Sequence, residues 1–180
     1  MESRASRRAR GKRGSEIVEF TLVMLPLLSI LFVLLDASWA IFAKATLQQA
    51  ARVGVRTGIT ITGTQATAAG ESLTDMVKDT VQANALGLLA GTTGRSYIKV
   101  HYYAQDSTSA TGVSDVSTDT NGNDPGNIMQ VSVVSFPLVP LLPHIFSWAT
   151  APNRNPTVLN VASADRIEPS GDVPPIGTAP

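Results

Sequence analysis

The feature that most constrains this chain is an apolar run near its N-terminus, directly preceded by a basic segment. Six of the fourteen Lys and Arg residues precede Gly14, and between Ile17 and Leu35 the only strongly polar side chain is that of Glu19. A helix of about 19 residues at 1.5 Å per residue is long enough to cross a hydrocarbon layer of about 30 Å. The basic segment is expected to stay in the cytoplasm, with the rest of the chain outside it. The sequence therefore predicts a single membrane span.

Glu19 needs an explanation, because an ionised carboxylate within a membrane helix costs about 2.5–3.5 kcal/mol even on lenient insertion scales. One explanation is its place in the first turns of the helix, near the interface and the positive end of the helix dipole. The other is that a new N-terminus is made just before it. The new α-amino group, largely protonated at neutral pH, could neutralise the carboxylate on the same subunit or on a neighbour.

The heptapeptide GSEIVEF, which begins at Gly14, resembles the processing site of type IV prepilins. In that site the cut follows the glycine, and a glutamate and an aromatic residue occupy the fifth and sixth mature positions. The short basic leader and the pair Glu19 and Phe20 are most similar to the TadE-like pseudopilins of the tight-adherence (Flp-type) pilus assembly system. This resemblance implies that a prepilin peptidase cuts between Gly14 and Ser15, and that Glu19 and Phe20 act in processing or assembly.

The stretch QQAARVGVR, further along the same predicted helix, resembles the same family. Its small residues Ala50, Ala51 and Gly54 would allow the close approach of another helix or of the domain body. Arg52 and Arg56 are four residues apart and so share one helix face. They are candidates for a partner contact, or they end a solvated helix whose dipole favours cations at that end.

Composition and the positions of Gly and Pro divide the chain into four parts. A basic leader, 1–14, is followed by one continuous helix, 15–57, which spans the membrane at about 17–38 and contains Pro26. A small extracytoplasmic domain, 58–168, and a flexible tail rich in Pro and Gly, 169–180, complete the chain.

The domain is predicted to be α+β. After a linker at 57–70, a second, amphipathic helix is expected from about residue 71 to near residue 91. β-branched and aromatic residues predict strands at 95–104, 127–136 and 156–167, with a long polar loop between the first two. These elements give a roughly three-stranded antiparallel sheet.

The segment PLVPLLPHIFSW, residues 137–148, is apolar but broken by three prolines. Two interpretations remain open. The segment is either a lid that completes the core of a small domain or an exposed apolar contact surface. In the second case Leu142, Phe146 and Trp148 are candidates for partner contact.

The residue types that could support catalysis are absent from this sequence or form no catalytic motif in it. Without cysteine there is no thiolate chemistry, and the two histidines, His101 and His144, belong to no nucleophile motif. We therefore expect neither an enzyme nor a cofactor, and no nucleic acid, since the basic residues concentrate in the leader. The turn DTNGND, 119–124, begins like a calcium-binding loop, but Asp124 stands where a glycine is needed and Gln130 where a glutamate belongs. It is predicted to be a turn without a metal.

The resemblance implies a minor pilin or pseudopilin of a Tad (Flp-type) pilus. It would lie in the bacterial inner membrane with its domain outside the cytoplasm, and either enter the pilus after processing or stay in the assembly machine. Its partners would be the prepilin peptidase and other Tad pseudopilins and pilin. It is too large for the bulk subunit, which in this family is little more than the N-terminal helix.

Two alternatives remain open. One is an uncleaved anchor whose outer domain binds a ligand or partner. The other is a secreted protein cut after Ala45, where Ala43-Lys44-Ala45 has the small-residue spacing of a signal-peptide site. Glu19 argues against the second alternative, because a signal-peptide apolar region does not open on an acid.

Overall fold

The computed structural model describes residues 3–106, 108–139, 157–168 and 171–178, with side chains from residue 15 onward. The chain divides into two compact units. Of the described residues, those up to Ala40 belong to one unit and those from Ile41 onward belong to the other.

Four helices and four strands follow one another in the described residues. The helices are α1 (Ser3–Gly58), α2 (Gly63–Ala69), α3 (Leu73–Asn84) and α4 (Gly91–Ser96), and the strands are β1 (Ile98–Gln105), β2 (Val113–Asp115), β3 (Ile128–Leu138) and β4 (Thr157–Arg166). This is the predicted α+β fold: a long apolar N-terminal helix followed by a small domain with an antiparallel sheet.

In the first unit, α1 satisfies its polar groups within the helix. The hydroxyls of Thr21, Ser29 and Ser38 each donate to the carbonyl four residues earlier, at 2.9, 2.9 and 2.7 Å. Such bonds let hydroxyl side chains lie in an apolar environment. Pro26 lies inside the helix and has no N–H to donate to the carbonyl of Leu22.

In the second unit, α1 buries one stripe of small and apolar side chains. The stripe repeats every three or four residues, as expected for one face of a helix, and it comprises Ala43, Leu47, Ala50, Ala51, Gly54, Val55 and Gly58. Leu47, Ala50, Ala51 and Val55 belong to one core with α3 and the sheet, and Gly54 and Gly58 lie against it. The small residues of QQAARVGVR thus pack against the domain body.

Two glycines set how closely α1 approaches α3 and β3. A Cβ atom added to Gly54 would overlap Cγ2 of Val81, and it would lie 3.8 Å from Cγ1 of Val131. A Cβ added to Gly58 would lie 2.7 Å from both Val77 Cγ2 and Met129 Sδ. Any larger residue at either position would force the packed valines apart.

The sheet has the strand order β2-β1-β3-β4, and every neighbouring pair is antiparallel. Alternate residues face α1 and α3, as the period-2 geometry of a strand requires. The buried set on this face is Ile98, Val100 and Tyr102 from β1, Met129, Val131 and Val133 from β3, and Val161 from β4. The opposite face carries polar and small side chains that stay partly exposed.

A β-bulge in β3 keeps the apolar alternation facing the core. The register changes between Val133, opposite Val161, and Phe136, opposite Leu159, so that β3 has one extra residue. Ser135 takes a positive φ of 59° at this point, and its N–H donates to Asn160 Oδ1 at 2.7 Å. Phe136 thereby returns to the core face.

The C-terminal segment 171–178 is hydrogen-bonded to the domain, although its Pro and Gly content had led us to expect a flexible tail. Leu73 N–H donates to the carbonyl of Pro175 at 2.9 Å, and Thr74 Oγ1 donates to that of Ile176 at 2.6 Å. Asp172 accepts from the Thr64 N–H at 2.7 Å at the start of α2. The segment therefore supplies acceptors to the first turns of two helices, where backbone N–H groups lack partners within the helix.

Several details differ from the expected outline. The sheet, expected to have roughly three strands, has a fourth short strand, β2, inside the region expected to be a loop. The linker at 57–70 contains α2, and the second amphipathic helix ends at Asn84, after which Leu86 and Gly87 take positive φ values of 49° and 82°. The first strand begins at Ile98, because residues 91–96 form α4.

We predict that Gly54→Val destabilises the domain by about 3 kcal/mol, the upper end of the usual cost of overpacking a core. The reason is the overlap with Val81, a β-branched side chain that is itself fully buried. Urea unfolding of the detergent-solubilised full chain, followed by tyrosine and tryptophan fluorescence, measures the effect.

Gly171→Val is the matched control, because a Cβ at Gly171 meets nothing within 4 Å. It should leave the unfolding midpoint unchanged. Equal midpoints for both variants would contradict close packing of α1 on α3.

Candidate functional site

The predicted processing site lies within the continuous α1 backbone. Gly14 and Ser15 are both helical, and the side chains from Ser15 to Phe20 are exposed. Ser15 and Glu19 are four residues apart, so they lie on one helix face, separated by about 6 Å along the axis. An amine created at Ser15 would therefore be within reach of the Glu19 carboxylate.

The glycine at the predicted cut lowers the local stability of the helix. A glycine in a helix interior costs about 0.5–1 kcal/mol relative to alanine, and the leader contains Gly11 as well as Gly14. The peptide bond between Gly14 and Ser15 is thus at a point where α1 opens more easily than along the apolar run that follows.

The apolar run after Ser15 is exposed over much of the helix surface, with Met24 and Phe32 half-buried on one side. Leu22 is 73% exposed, Leu25 65%, Ile30 62% and Leu34 60%. A helix that is apolar all round is suited to a membrane environment. Within the described residues, Ser15–Gly58 is the one helix long and apolar enough to cross a membrane.

Arg52 and Arg56 are exposed, on the side of α1 away from the buried stripe. The structure thus separates two features that are interleaved in the sequence. The small residues Ala50, Ala51 and Gly54 contact the domain, while the two arginines remain accessible to a partner.

A polar cluster lies on the outer face of the sheet. His101 Nδ1 is 3.2 Å from Asp115 Oδ2, and Ser117 donates both its O–H and its N–H to Asp115 Oδ1. Burial opposes ionisation of Asp115, but the hydrogen bonds from Ser117 and His101 together hold the pKa of its carboxyl below the usual value. The Ser117 hydroxyl also accepts the Tyr102 N–H at 2.9 Å.

The cluster contains the residue types of a Ser-His-Asp triad in the wrong order. In a triad the imidazole lies between the hydroxyl and the carboxylate and takes the hydroxyl proton. Here the carboxylate of Asp115 lies between the other two, and Ser117 is buried with only 4% exposure. These hydrogen bonds instead hold β2, and Ser117 two residues after its end, against β1.

Arg95 joins α4 to α3 through several acceptors. Its guanidinium contacts Asp79 Oδ1 and lies 3.0 Å from Asp75 Oδ1 and 3.3 Å from Gln82 Oε1. The Ser72 hydroxyl also donates to Asp75, and this bond, followed by Arg95, holds the pKa of Asp75 below its usual value against the opposing effect of burial. These groups are engaged in helix capping and packing.

Buried Tyr102 links the sheet, α3 and the C-terminal segment. Its hydroxyl lies 3.2 Å from Thr74 Oγ1, which in turn donates to the carbonyl of Ile176. Burial raises the pKa of Tyr102 to about 12. The phenol therefore stays neutral and has a structural role.

The turn at 119–124 is closed by its own backbone. Gly122 N–H donates to the Asp119 carbonyl at 3.0 Å, and Asp124 N–H donates to the Asn121 carbonyl at 3.1 Å. Asn123 is buried and donates to the Pro174 carbonyl at 2.7 Å. Its side chain thus faces the C-terminal segment and does not join Asp119 and Asn121 as a ligand. Across the described parts of the chain, no three His, Asp or Glu side chains are grouped so that they could hold a metal.

Leu142, Phe146 and Trp148, the candidates for partner contact in the proline-rich segment, lie outside the described residues, as does His144. Whether that segment is a lid or a contact surface remains a prediction from the sequence alone.

The described residues define a single-anchor α+β protein, with an apolar N-terminal helix and one small domain. Residues 14–56 match the family model described as TadE-like protein. The resemblance seen in Gly14–Phe20 and in QQAARVGVR is confirmed over this segment. Neither a curated protein nor a solved structure matches the chain.

Sequence reasoning missed the residues that act through tertiary contact. Arg95 was placed at the start of a strand, and Asp172 was placed in a fraying tail. An acid preceding a Pro-rich end carries no local signal that it caps a helix more than one hundred residues earlier. The capping box formed by Thr62 and Gln65 at the start of α2 was readable, since Thr followed three residues later by Gln is its signature.

Proposed function

We propose that this protein is a minor pilin or pseudopilin of a Tad (Flp-type) pilus, cut by a prepilin peptidase between Gly14 and Ser15. The observation that carries the proposal is the matched segment 14–56, which begins at the cleavage glycine and ends at Arg56. In the proposed topology the leader is cytoplasmic, α1 is anchored in the bacterial inner membrane, and the domain lies outside the cytoplasm.

The proposed cut changes the charge of the chain as well as its length. The leader contains six basic residues, so its removal leaves a mature chain with a net negative charge. The basic residues that hold the N-terminus at the cytoplasmic face are then gone. Loss of this retention signal makes it easier for a subunit to leave the bilayer during assembly.

The position of Glu19 explains why the proposed cut must fall at one particular peptide bond. In the mature chain the Ser15 amine and the Glu19 carboxylate lie one turn apart on α1, and opposite charges in an apolar environment attract strongly. The pair forms within one subunit in the membrane. On assembly, the carboxylate can instead pair with the Ser15 amine of a neighbour, which sets the axial position of one helix against the next.

The small domain distinguishes this subunit from a bulk pilin, which is little more than the N-terminal helix. Its polar clusters at Arg95 and Asp115 are engaged in structural bonds, whereas Arg52 and Arg56 are exposed. This distribution suits a protein that starts, caps or stabilises a filament through contacts with other pilus components. No catalytic step is proposed.

We predict that Gly14→Glu blocks processing and leaves membrane insertion intact. The peptidase requires a small residue at the cut, whereas insertion depends on the apolar run and its basic flank. Immunoblots of membrane fractions should show only the longer, unprocessed form.

Gly11→Glu is the matched control, since it introduces the same charge in the same leader three residues earlier, and it should be processed normally. A mature-sized band from the Gly14→Glu variant would reject the proposed site. If both variants are full-length, and the unchanged chain is too, the uncleaved anchor is the better description.

A second prediction concerns Glu19→Ala. The variant should insert and be processed, because an apolar helix start is easier to bury. Pilus assembly should fall at least about tenfold, as expected for loss of one charge pair worth about 1.4 kcal/mol or more. The number of pili per cell, counted by electron microscopy, measures the effect.

Glu16→Ala removes a neighbouring acid of the same exposed segment and serves as the control, with piliation expected to be unchanged. Normal piliation in cells that contain only the Glu19→Ala variant would show that Glu19 is merely tolerated near the interface.

A further inference from the structure

The exposed charged side chains of α1 in the second unit are all basic, although Ile41 and Phe42 are exposed there too. From Ile41 to Gly58 the helix contains no acidic residue, and its three cations, Lys44, Arg52 and Arg56, are all exposed. At 100° per residue these three side chains fall within about one third of the helix circumference. We call these three residues the basic face.

No carboxylate within the described residues pairs with the basic face. The ion pairs there are those of Arg95 with Asp75 and Asp79, and of His101 with Asp115. Arg52 and Arg56 lie on the side of α1 away from the stripe that is buried against α3 and β3, whereas Lys44 is exposed within the angular range of that stripe. The three cations are therefore free to meet a carboxylate of another molecule.

The rest of the domain has the complementary charge. Residues 59–180 contain ten acidic and five basic residues. Asp119 and Asp124 are exposed and belong to none of the ion pairs above. They flank the turn 119–124, which we call the acidic turn.

The acidic turn is held in one shape, so that little entropy is lost when it binds. Besides its two internal backbone bonds, Asn127 Nδ2 donates to the Gly122 carbonyl at 3.0 Å, and Asn123 anchors the turn to the C-terminal segment. Gly122 is buried, and a Cβ there would overlap the Val116 carbonyl. The two carboxylates are thus presented on a fixed loop.

We propose that the basic face is a docking surface for a second copy of this chain, whose acidic turn lies against Lys44, Arg52 and Arg56. The two surfaces differ, so the contact is of the head-to-tail kind that repeats along a line and does not close into a pair. The inference deepens the proposed pilus role and rests on it for its setting. It specifies that the chain associates with itself through its helix and a domain loop.

Exposed ion pairs contribute little individually, about 0–1 kcal/mol each. The contact is therefore weak in dilute solution and becomes significant when subunits are concentrated and aligned in one membrane. It should weaken as salt rises, because exposed charges are screened over about 10 Å at 0.1 M ionic strength.

The absence of cysteine makes the contact testable by cross-linking. Single variants of the full chain, Gln49→Cys beside the basic face and Thr120→Cys in the acidic turn, carry different tags and are reconstituted together in the same lipid bilayer under oxidising conditions. Both positions are exposed. Mixed disulfide dimers should form between these two variants, and not between Gln49→Cys and the control Thr93→Cys, which is exposed on α4.

Exchanging the charges of the basic face and the acidic turn then tests whether ion pairs hold the two copies together. The double variant Arg52→Glu with Arg56→Glu should weaken self-association, measured by sedimentation, about tenfold, and Asp119→Lys with Asp124→Lys should do the same. All four changes in one chain should restore association to within about threefold of the original, since the attraction is re-formed with reversed signs. Arg52→Lys with Arg56→Lys keeps the charge and should associate normally.

Failure of the fourfold variant to restore association, or normal association of either double variant, overturns the proposal. So does a loss of binding to vesicles containing anionic lipid with self-association unchanged, because the basic face would then contact lipid. If Gly14→Glu still blocks processing and piliation in that case, the proposed function stands without this contact. Circular dichroism of each variant confirms that the fold is kept.

Discussion

The structure depends on the close contact of α1 with α3 and β3. Gly54 and Gly58 have no side chain, so Val77, Val81 and Met129 can lie directly against the helix backbone. Contacts this close gain dispersion energy and leave no room for water. They also fix which side of α1 is buried, so that Arg52 and Arg56 must face outward. The helix that carries the apolar run thus also supplies one wall of the domain core, which explains why the matched segment 14–56 continues about twenty residues beyond Leu35.

The charged side chains of the domain also fall into two groups, those that hold the fold together and those that stay exposed. Arg95, His101 and Asp115 are engaged in bonds that hold short elements in place: α4 on α3, and β2 on β1. The C-terminal segment has a similar role, since the carbonyls of Pro175 and Ile176 accept hydrogen bonds from the first turn of α3. Most charged groups with an internal partner therefore serve the fold. Arg52 and Arg56 on α1, and Asp119 and Asp124 in the turn 119–124, are among the exposed charges that belong to none of these ion pairs.

The sequence predicted the parts of this fold that have a local cause. A run of apolar residues as long as a bilayer, and β-branched strands such as β3, are recognisable without tertiary information, and the motif Gly14–Phe20 is contiguous. β2 was missed because three residues are too few to show alternation. α2 was missed because its Thr, Ala and Gly content is typical of a linker, and the C-terminal segment because Pro and Gly usually indicate fraying. Its partners, Thr64 and Thr74, are about one hundred residues away in the chain, so only the folded domain reveals them.

N-terminal sequencing of the protein purified from membranes tests the central claim of this account most directly. The claim is that the chain is a prepilin-like subunit whose mature form begins one helical turn before Glu19. The account predicts Ser15 as the first residue in cells that contain the peptidase, and Met1 in cells that lack it. Met1 in both would contradict the account and favour an uncleaved anchor, and Thr46 would contradict it in favour of a secreted protein.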